Sequence, residues 1–151
     1  MTVEQTIEQT LAIIKPDAVT NKNIGKIIQK IEENNFDIQQ IFMIQLTKEE
    51  AGDFYYAHKD KGFFNDLTDF MSSTPITVII LEKENAIQEW RDLMGATDPA
   101  QAAPGTIRAE FAKSIDENSV HGSDSIEAAL EEISFFFEFN EELAETAEIA
   151  S

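Results

Sequence analysis

Two short apolar runs limit what this chain can fold into more than anything else in it. Leu11-Ala12-Ile13-Ile14 is continuous, and Ile76 to Leu81 is interrupted only by Thr77. Successive strand residues point to opposite sides of a sheet, so such runs read as strands covered on both faces. Around them lie stripes of helical period. Ile24, Ile27, Ile28 and Ile31 mark a helix that Asn34-Asn35 stops, and Phe36, Ile38, Phe42, Ile44 and Leu46 alternate as a second strand. Thr47 with Glu50 three later forms a capping box, opening a helix that runs to about Tyr56. Phe63, Phe64, Leu67, Phe70 and Met71 make a further stripe, broken by Ser72 to Pro75. Asn85 with Gln88 starts a helix carrying Ile87, Trp90 and Met94, and Gly95 suits the position just past its end. From Ala96 to Ser114 there is a long loop with little periodicity.

The order is strand, helix, strand, helical hairpin, strand, helix, long loop, short strand, helix. It places the chain in the α/β class as an α+β sandwich, compatible with a ferredoxin-like βαββαβ arrangement plus additional helices. The 151 residues suit one domain over 1–151, with a polar lead-in at 1–9 and an acidic tail at 140–151. A hydrophobic content of 42% and eleven Phe support a packed core. No apolar run approaches the ~20 residues of a membrane-spanning helix. Without cysteine there is no disulfide and no thiolate metal site, which fits a cytoplasmic setting. The net charge of −18 argues against general affinity for nucleic acid or an anionic membrane.

Chemistry gathers near the C-terminus. His121, one of only two histidines, lies in the small-residue stretch Asn118 to Ile126, just ahead of a helix start. Asp124 with Glu127 reads as its capping box, and Ile126, Ala129, Leu130, Ile133, Phe136 and Phe137 form a stripe expected to face the core. Free N–H groups and the positive dipole end favour an anion there, so the histidine points to phosphate chemistry. Lys15 emerges at the end of the first strand, where Pro16 stops the ladder; taken alone it is a solvated lysine. The only two arginines, Arg91 and Arg108, bracket the long loop. An arginine offers a planar fork of donors to phosphate oxygens, while surface ion pairs are the other use for it in so acidic a chain. Of the adjacent Phe63 and Phe64 one is expected to be exposed, and Glu131 and Glu132 taken alone lie on a solvated helix face.

Asn118-x-x-His121-Gly122-Ser123-Asp124-Ser125-Ile126 resembles the signature of nucleoside diphosphate kinases at every position, and the likeness runs from about Thr10 to Phe137. It implies the ferredoxin-like fold with a four-stranded antiparallel sheet. It also implies transfer of the terminal phosphate of a nucleoside triphosphate, usually ATP, to a nucleoside diphosphate, by a ping-pong mechanism. His121 would be the nucleophile, forming a pros-phosphohistidine. Glu132 would bond its imidazole, with Tyr55 and Ser123 in support. Lys15, in a segment like the family's "IIKPDA", would bind phosphate and sugar, Asn118 the sugar, and Arg91, Thr97 and Arg108 the phosphates. Phe63 would stack on the base, although Gly62 replaces the usual Pro, and Thr74 also departs from the pattern. Mg2+ would be held through the substrate phosphates, with no metal ligand from the protein. The resemblance further implies a homo-oligomer. A non-catalytic nucleotide-binding or regulatory relative is the alternative. His58 matches no catalytic position and is expected at the surface.

Overall fold

The computed structural model describes residues 7–137. The tail expected at 140–151 lies outside them. Four strands form one antiparallel sheet in the order β2-β3-β1-β4: β1 (Ile7–Ile14), β2 (Asp37–Ile44), β3 (Ile76–Glu84) and β4 (Val120–Gly122). With helices between them this is the expected ferredoxin-like α+β sandwich. β1 reaches back to Ile7, so residues 7–9 of the supposed lead-in pair with Glu82 to Glu84.

The two central strands are covered on both faces, as their composition requires. Leu11 and Ile13 enter one core layer with Ile76, Val78 and Ile80. Ala12 and Ile14 enter the other with Ile79 and Leu81. Helix α2 (Ile24–Glu33) and helix α5 (Ala86–Met94) close the second layer through Ile27, Ile31, Trp90 and Met94. The first is closed by α3 (Lys48–Phe54), α4 (Phe64–Met71) and α7 (residues 126–137), through Ala51, Met71 and Phe136.

Several local expectations change. The register of β2 against β3 shifts between Ile38 and Gln40. An extra residue in a strand exchanges its faces. Phe36 and Ile38 therefore pack in one layer, and Phe42, Ile44 and Leu46 in the other. The capping box of Thr47 and Glu50 forms as expected, both halves present. The one at Asp124 does not. Ser125 caps α7 instead, its Oγ accepting from the Ala128 N–H at 3.0 Å, while Asp124 reaches Arg91 at 3.3 Å. Asn85 is left-handed (φ 54°) and makes no side-chain cap. Glu8 on β1 accepts from the Ile87 N–H in its place, at 3.3 Å.

Only half of the α7 stripe is core. Its six apolar positions span an arc of ~120° at 100° per residue, and the sheet takes one side of it. Ala129, Ile133 and Phe136 pack inward, whereas Ile126, Leu130 and Phe137 are exposed. The long loop is less irregular than expected. It holds a short turn at Pro99–Gln101 capped by Asp98, and a helix α6 (Ile107–Phe111) capped by Thr106. A five-residue helix α1 (Pro16–Thr20) follows β1 directly.

Candidate active site

Sheet pairing fixes where His121 stands. β4 is three residues long, and His121 sits opposite Ile13 in the middle of it. The indole Nε1–H of Trp90 donates to the His121 carbonyl at 3.0 Å, tying the strand to α5. That approach needs a glycine next door: a Cβ on Gly122 would lie 2.5 Å from Trp90 Cδ1 and 2.7 Å from Met94 Cε.

The imidazole is held on one side. Its Nε2 lies 2.7 Å from Glu132 Oε1, an oxygen that also accepts from Ser123 Oγ at 3.1 Å. Ser123 in turn accepts from the Leu11 N–H at 3.2 Å, so the chain from β1 to the ring is continuous. With Nε2 facing a carboxylate, the ring proton belongs on that nitrogen and the lone pair on Nδ1. The rings of Phe54 and Tyr55 meet the imidazole edge-on, at centroid distances of 5.5 and 6.2 Å. The Tyr55 hydroxyl is buried without a hydrogen-bond partner among the described residues. Burial, then the nearby Glu132, raises its pKa, so it stays a neutral donor.

Ahead of β4, the turn at Asn118-Ser119-Val120 is pinned on every carbonyl. Arg108 donates from Nε to Asn118 O at 3.3 Å and from Nη2 to Val120 O at 2.9 Å, while the Lys15 N–H donates to Ser119 O at 2.8 Å. Arg108 also reaches Gly95 O at 2.9 Å. A guanidinium has five N–H groups. Three are thus spent on backbone, and two remain for an anion. Burial and then Arg91 lower the Arg108 pKa, but an arginine keeps its charge. Lys15 Nζ donates to Asn118 Oδ1 at 2.9 Å, and Asn118 Nδ2 to Thr97 O at 3.4 Å. Burial, then Arg108, pushes Lys15 down to about 8, with Asp17 opposing.

Lys15, Phe54, Tyr55, Thr97, Arg108, Asn118, His121 and Glu132 line a single open cleft of about 1580 Å³. Lys15, Arg108 and Thr97 all bond to Asn118, while Glu132 and Tyr55 meet the His121 ring itself. Arg91 stands at the rim, half-exposed and paired with Asp124. Phe63 is 49% exposed in the same cleft, while Phe64 is partly buried against the core. Glu131 faces solvent at the wall. His58 is exposed as expected, and it too lines the cleft, its ring 5.7 Å from that of Phe63. Sequence reasoning missed the anchoring work of Arg108, and it missed Asp17, whose carboxylate accepts from the Ser119 hydroxyl at 3.2 Å. Neither contact leaves a local trace in the sequence.

Comparison with known proteins gives one family throughout. The family model described as nucleoside diphosphate kinase matches residues 8–142. The chain is 59% identical over 131 residues to the nucleoside diphosphate kinase of Trichlorobacter lovleyi, covering 87% of this chain and 95% of the relative. It is 57% identical to that of Nitratiruptor sp., over 87% and 96% of the two chains. Among solved structures, the Aquifex aeolicus nucleoside diphosphate kinase superposes with a TM-score of 0.86 at 42% identity, over 87% of this chain and 95% of that one. A halophilic nucleoside diphosphate kinase from Halobacterium salinarum, in complex with CDP, does so with a TM-score of 0.83 at 35% identity, over 87% and 88%. A signature histidine held by a carboxylate, in a cleft walled by lysine and arginines, is thus found in a chain alike from end to end of the described fold. The chain belongs to the nucleoside diphosphate kinase family, enzymes that transfer phosphate between nucleotides.

Proposed function

We propose that the enzyme moves the terminal phosphate of a nucleoside triphosphate, usually ATP, onto a nucleoside diphosphate by a ping-pong mechanism through a phosphohistidine on His121. One observation carries this reading: Nε2 is engaged by Glu132 at 2.7 Å, and Nδ1 is left as the basic nitrogen in the cleft. Nδ1 attacks the terminal phosphorus in line. The bond from phosphorus to the bridging oxygen breaks, and the diphosphate leaves with that oxygen. The second nucleotide then takes the group from the ring by the reverse displacement. Glu132 balances the positive charge of the phosphorylated ring, and Ser123 holds Glu132 in place.

The remaining residues bind and orient. Arg91, the two free N–H groups of Arg108, Lys15 and the Thr97 hydroxyl take phosphate oxygens, where developing charge is best neutralised. The unpartnered Tyr55 hydroxyl offers one more donor beside the ring. Asn118 and Lys15 hold the sugar, and Phe63 stacks on the base. Beside the Glu132 carboxylate, the cleft around His121 carries the cations Lys15, Arg91 and Arg108, the Thr97 and Tyr55 hydroxyls and the Asn118 amide, which suit phosphate oxygens. Mg2+ would be carried on the substrate phosphates, where it would supply further charge neutralisation. The reading extends to a cytoplasmic homo-oligomer. Strand β2, at the edge of the sheet among the described residues, presents Ile41 and Met43, 46% and 50% exposed, and an edge strand with exposed apolar side chains favours such contacts.

Incubation with γ-labelled ATP tests the mechanism. The wild-type chain should retain an acid-labile, base-stable label, and His121→Ala should lose both label and turnover while keeping its melting temperature. Turnover near normal in the variant would falsify the mechanism.

A further inference from the structure

Among the described residues Asp17 is the only acid that is buried. It lies on the first turn of α1, two residues past Lys15. Its Oδ2 accepts the Ser119 hydroxyl at 3.2 Å, and its Oδ1 is buried with no hydrogen-bond partner among the described residues. Ser119 itself is fully buried and left-handed, with φ 72°. A non-glycine residue holds that conformation only where its surroundings impose it. Its neighbours Asn118 and Val120 are the ones that Arg108 grips, and His121 follows directly.

We propose that Asp17 is a positioning residue of the phosphotransfer site, with two tasks for one carboxylate. It clamps Ser119 in the left-handed turn that delivers Asn118 and His121, and it places one buried negative charge in the cluster that Lys15, Asn118 and Ser119 form. The proposal rests on the phosphohistidine reading above. The charges that bear on Lys15 are Arg108 from α6 and Asp17 from α1, with the Asn118 amide oxygen as its hydrogen-bond acceptor. Burial and Arg108 press Lys15 down to about 8, and Asp17 alone works the other way. Without it Lys15 loses its proton at lower pH and no longer holds phosphate.

Two substitutions separate the tasks. Asp17→Asn keeps an acceptor for Ser119 and removes the charge; Ser119→Ala removes the hydrogen bond and keeps the charge. In Asp17→Asn the alkaline fall of kcat/KM should move about one pH unit toward acid, which is about tenfold in activity above the fall, with wild-type values restored near pH 6. Ser119→Ala should leave that fall at the wild-type pH and lower kcat. Should Asp17→Asn not fold, Asp17→Glu carries the test: its charge keeps the fall in place, and the displaced carboxylate lowers kcat. An unmoved fall in Asp17→Asn, an equal movement in Ser119→Ala, or full kcat in Asp17→Glu would each overturn the proposal. Labelling by γ-labelled ATP is followed alongside. Wild type without label sinks the phosphohistidine reading, whereas label in every variant with an unmoved fall sinks the role of Asp17 alone.

Discussion

Glu132 decides which nitrogen of His121 carries the ring proton, because a carboxylate 2.7 Å from Nε2 keeps it there, and the proposed mechanism needs the other nitrogen as nucleophile. Replacing it by Gln keeps the shape and an acceptor but removes the charge that balances a phosphorylated ring. In Glu132→Gln, kcat should fall roughly 10- to 100-fold, about 1.4–2.7 kcal/mol of barrier, with nucleotide KM little changed. Steady-state kinetics at saturating ATP reads this directly, and an unchanged kcat would show that the carboxylate takes no part. Lys15 gives a second residue-scale prediction, in pH. Its ammonium is lost at about 8 in the folded chain, against 10.5 for an ordinary lysine. Between those values the unfolded chain binds the extra proton, so the contribution of this group to stability rises with pH across that window. On the proposed role of Lys15, affinity for phosphate moves the other way and falls. Melts of wild type and Lys15→Met at pH 8 and pH 10 should show wild type gaining on the variant, while its nucleotide KM climbs. Parallel melting curves for the two chains would contradict the sign.

Elements hold this site through contacts far apart in the chain. The Trp90 indole on α5 meets the His121 carbonyl, and Gly122 leaves room for it. Gly122→Ala would press a methyl into Trp90 and Met94, and overpacking of that kind costs about 1–3 kcal/mol. Both the melting midpoint and kcat should drop, since β4 is only three residues long and cannot absorb the shift away from His121. A variant that melts lower with full kcat would mean that the β4–α5 contact serves the fold alone. The same elements show what a sequence reveals. Short apolar runs announced β1 and β3, and helical period announced α2, α4 and α5, because burial writes its period directly into side-chain choice. The bulge in β2 left no such mark, since one added residue keeps the composition and changes only the facing. Helices α1 and α6, five residues each, are too short to show a period. Of the candidate site, His121, Glu132, Lys15 and both arginines, which the fold brings to one cleft, were singled out by a signature and a rare residue type. The second use of Arg108, as an anchor for three carbonyls, was not, because carbonyls are present at every position.

Across the whole molecule, charge sets the condition under which these contacts persist. The chain has 29 acids and 11 bases, so one-to-one pairing leaves at least eighteen carboxylates without a cation. Lys30, Lys48, Lys83 and Arg91 each already stand within 4.0 Å of a carboxylate. Exposed pairs of this kind contribute roughly 0–1 kcal/mol each, too little to offset the surplus. Repulsion among the remaining acids disfavours the compact state, and the unfolded chain relieves it by expanding. Salt shortens the reach of that repulsion, from a Debye length of about 10 Å at 0.1 M to about 3 Å at 1 M. The melting midpoint should therefore rise from low to molar NaCl. For a chain of this size each kcal/mol moves the midpoint by roughly 2–4 °C, so a gain of about 2 kcal/mol would appear as roughly 4–8 °C. Thermal melts at about 0.05, 0.2 and 1 M NaCl cover the range over which screening changes most. Surface charge governs the stability of this enzyme if the midpoints climb in that order. Flat or falling midpoints would place the limit in the packing of the two core layers instead.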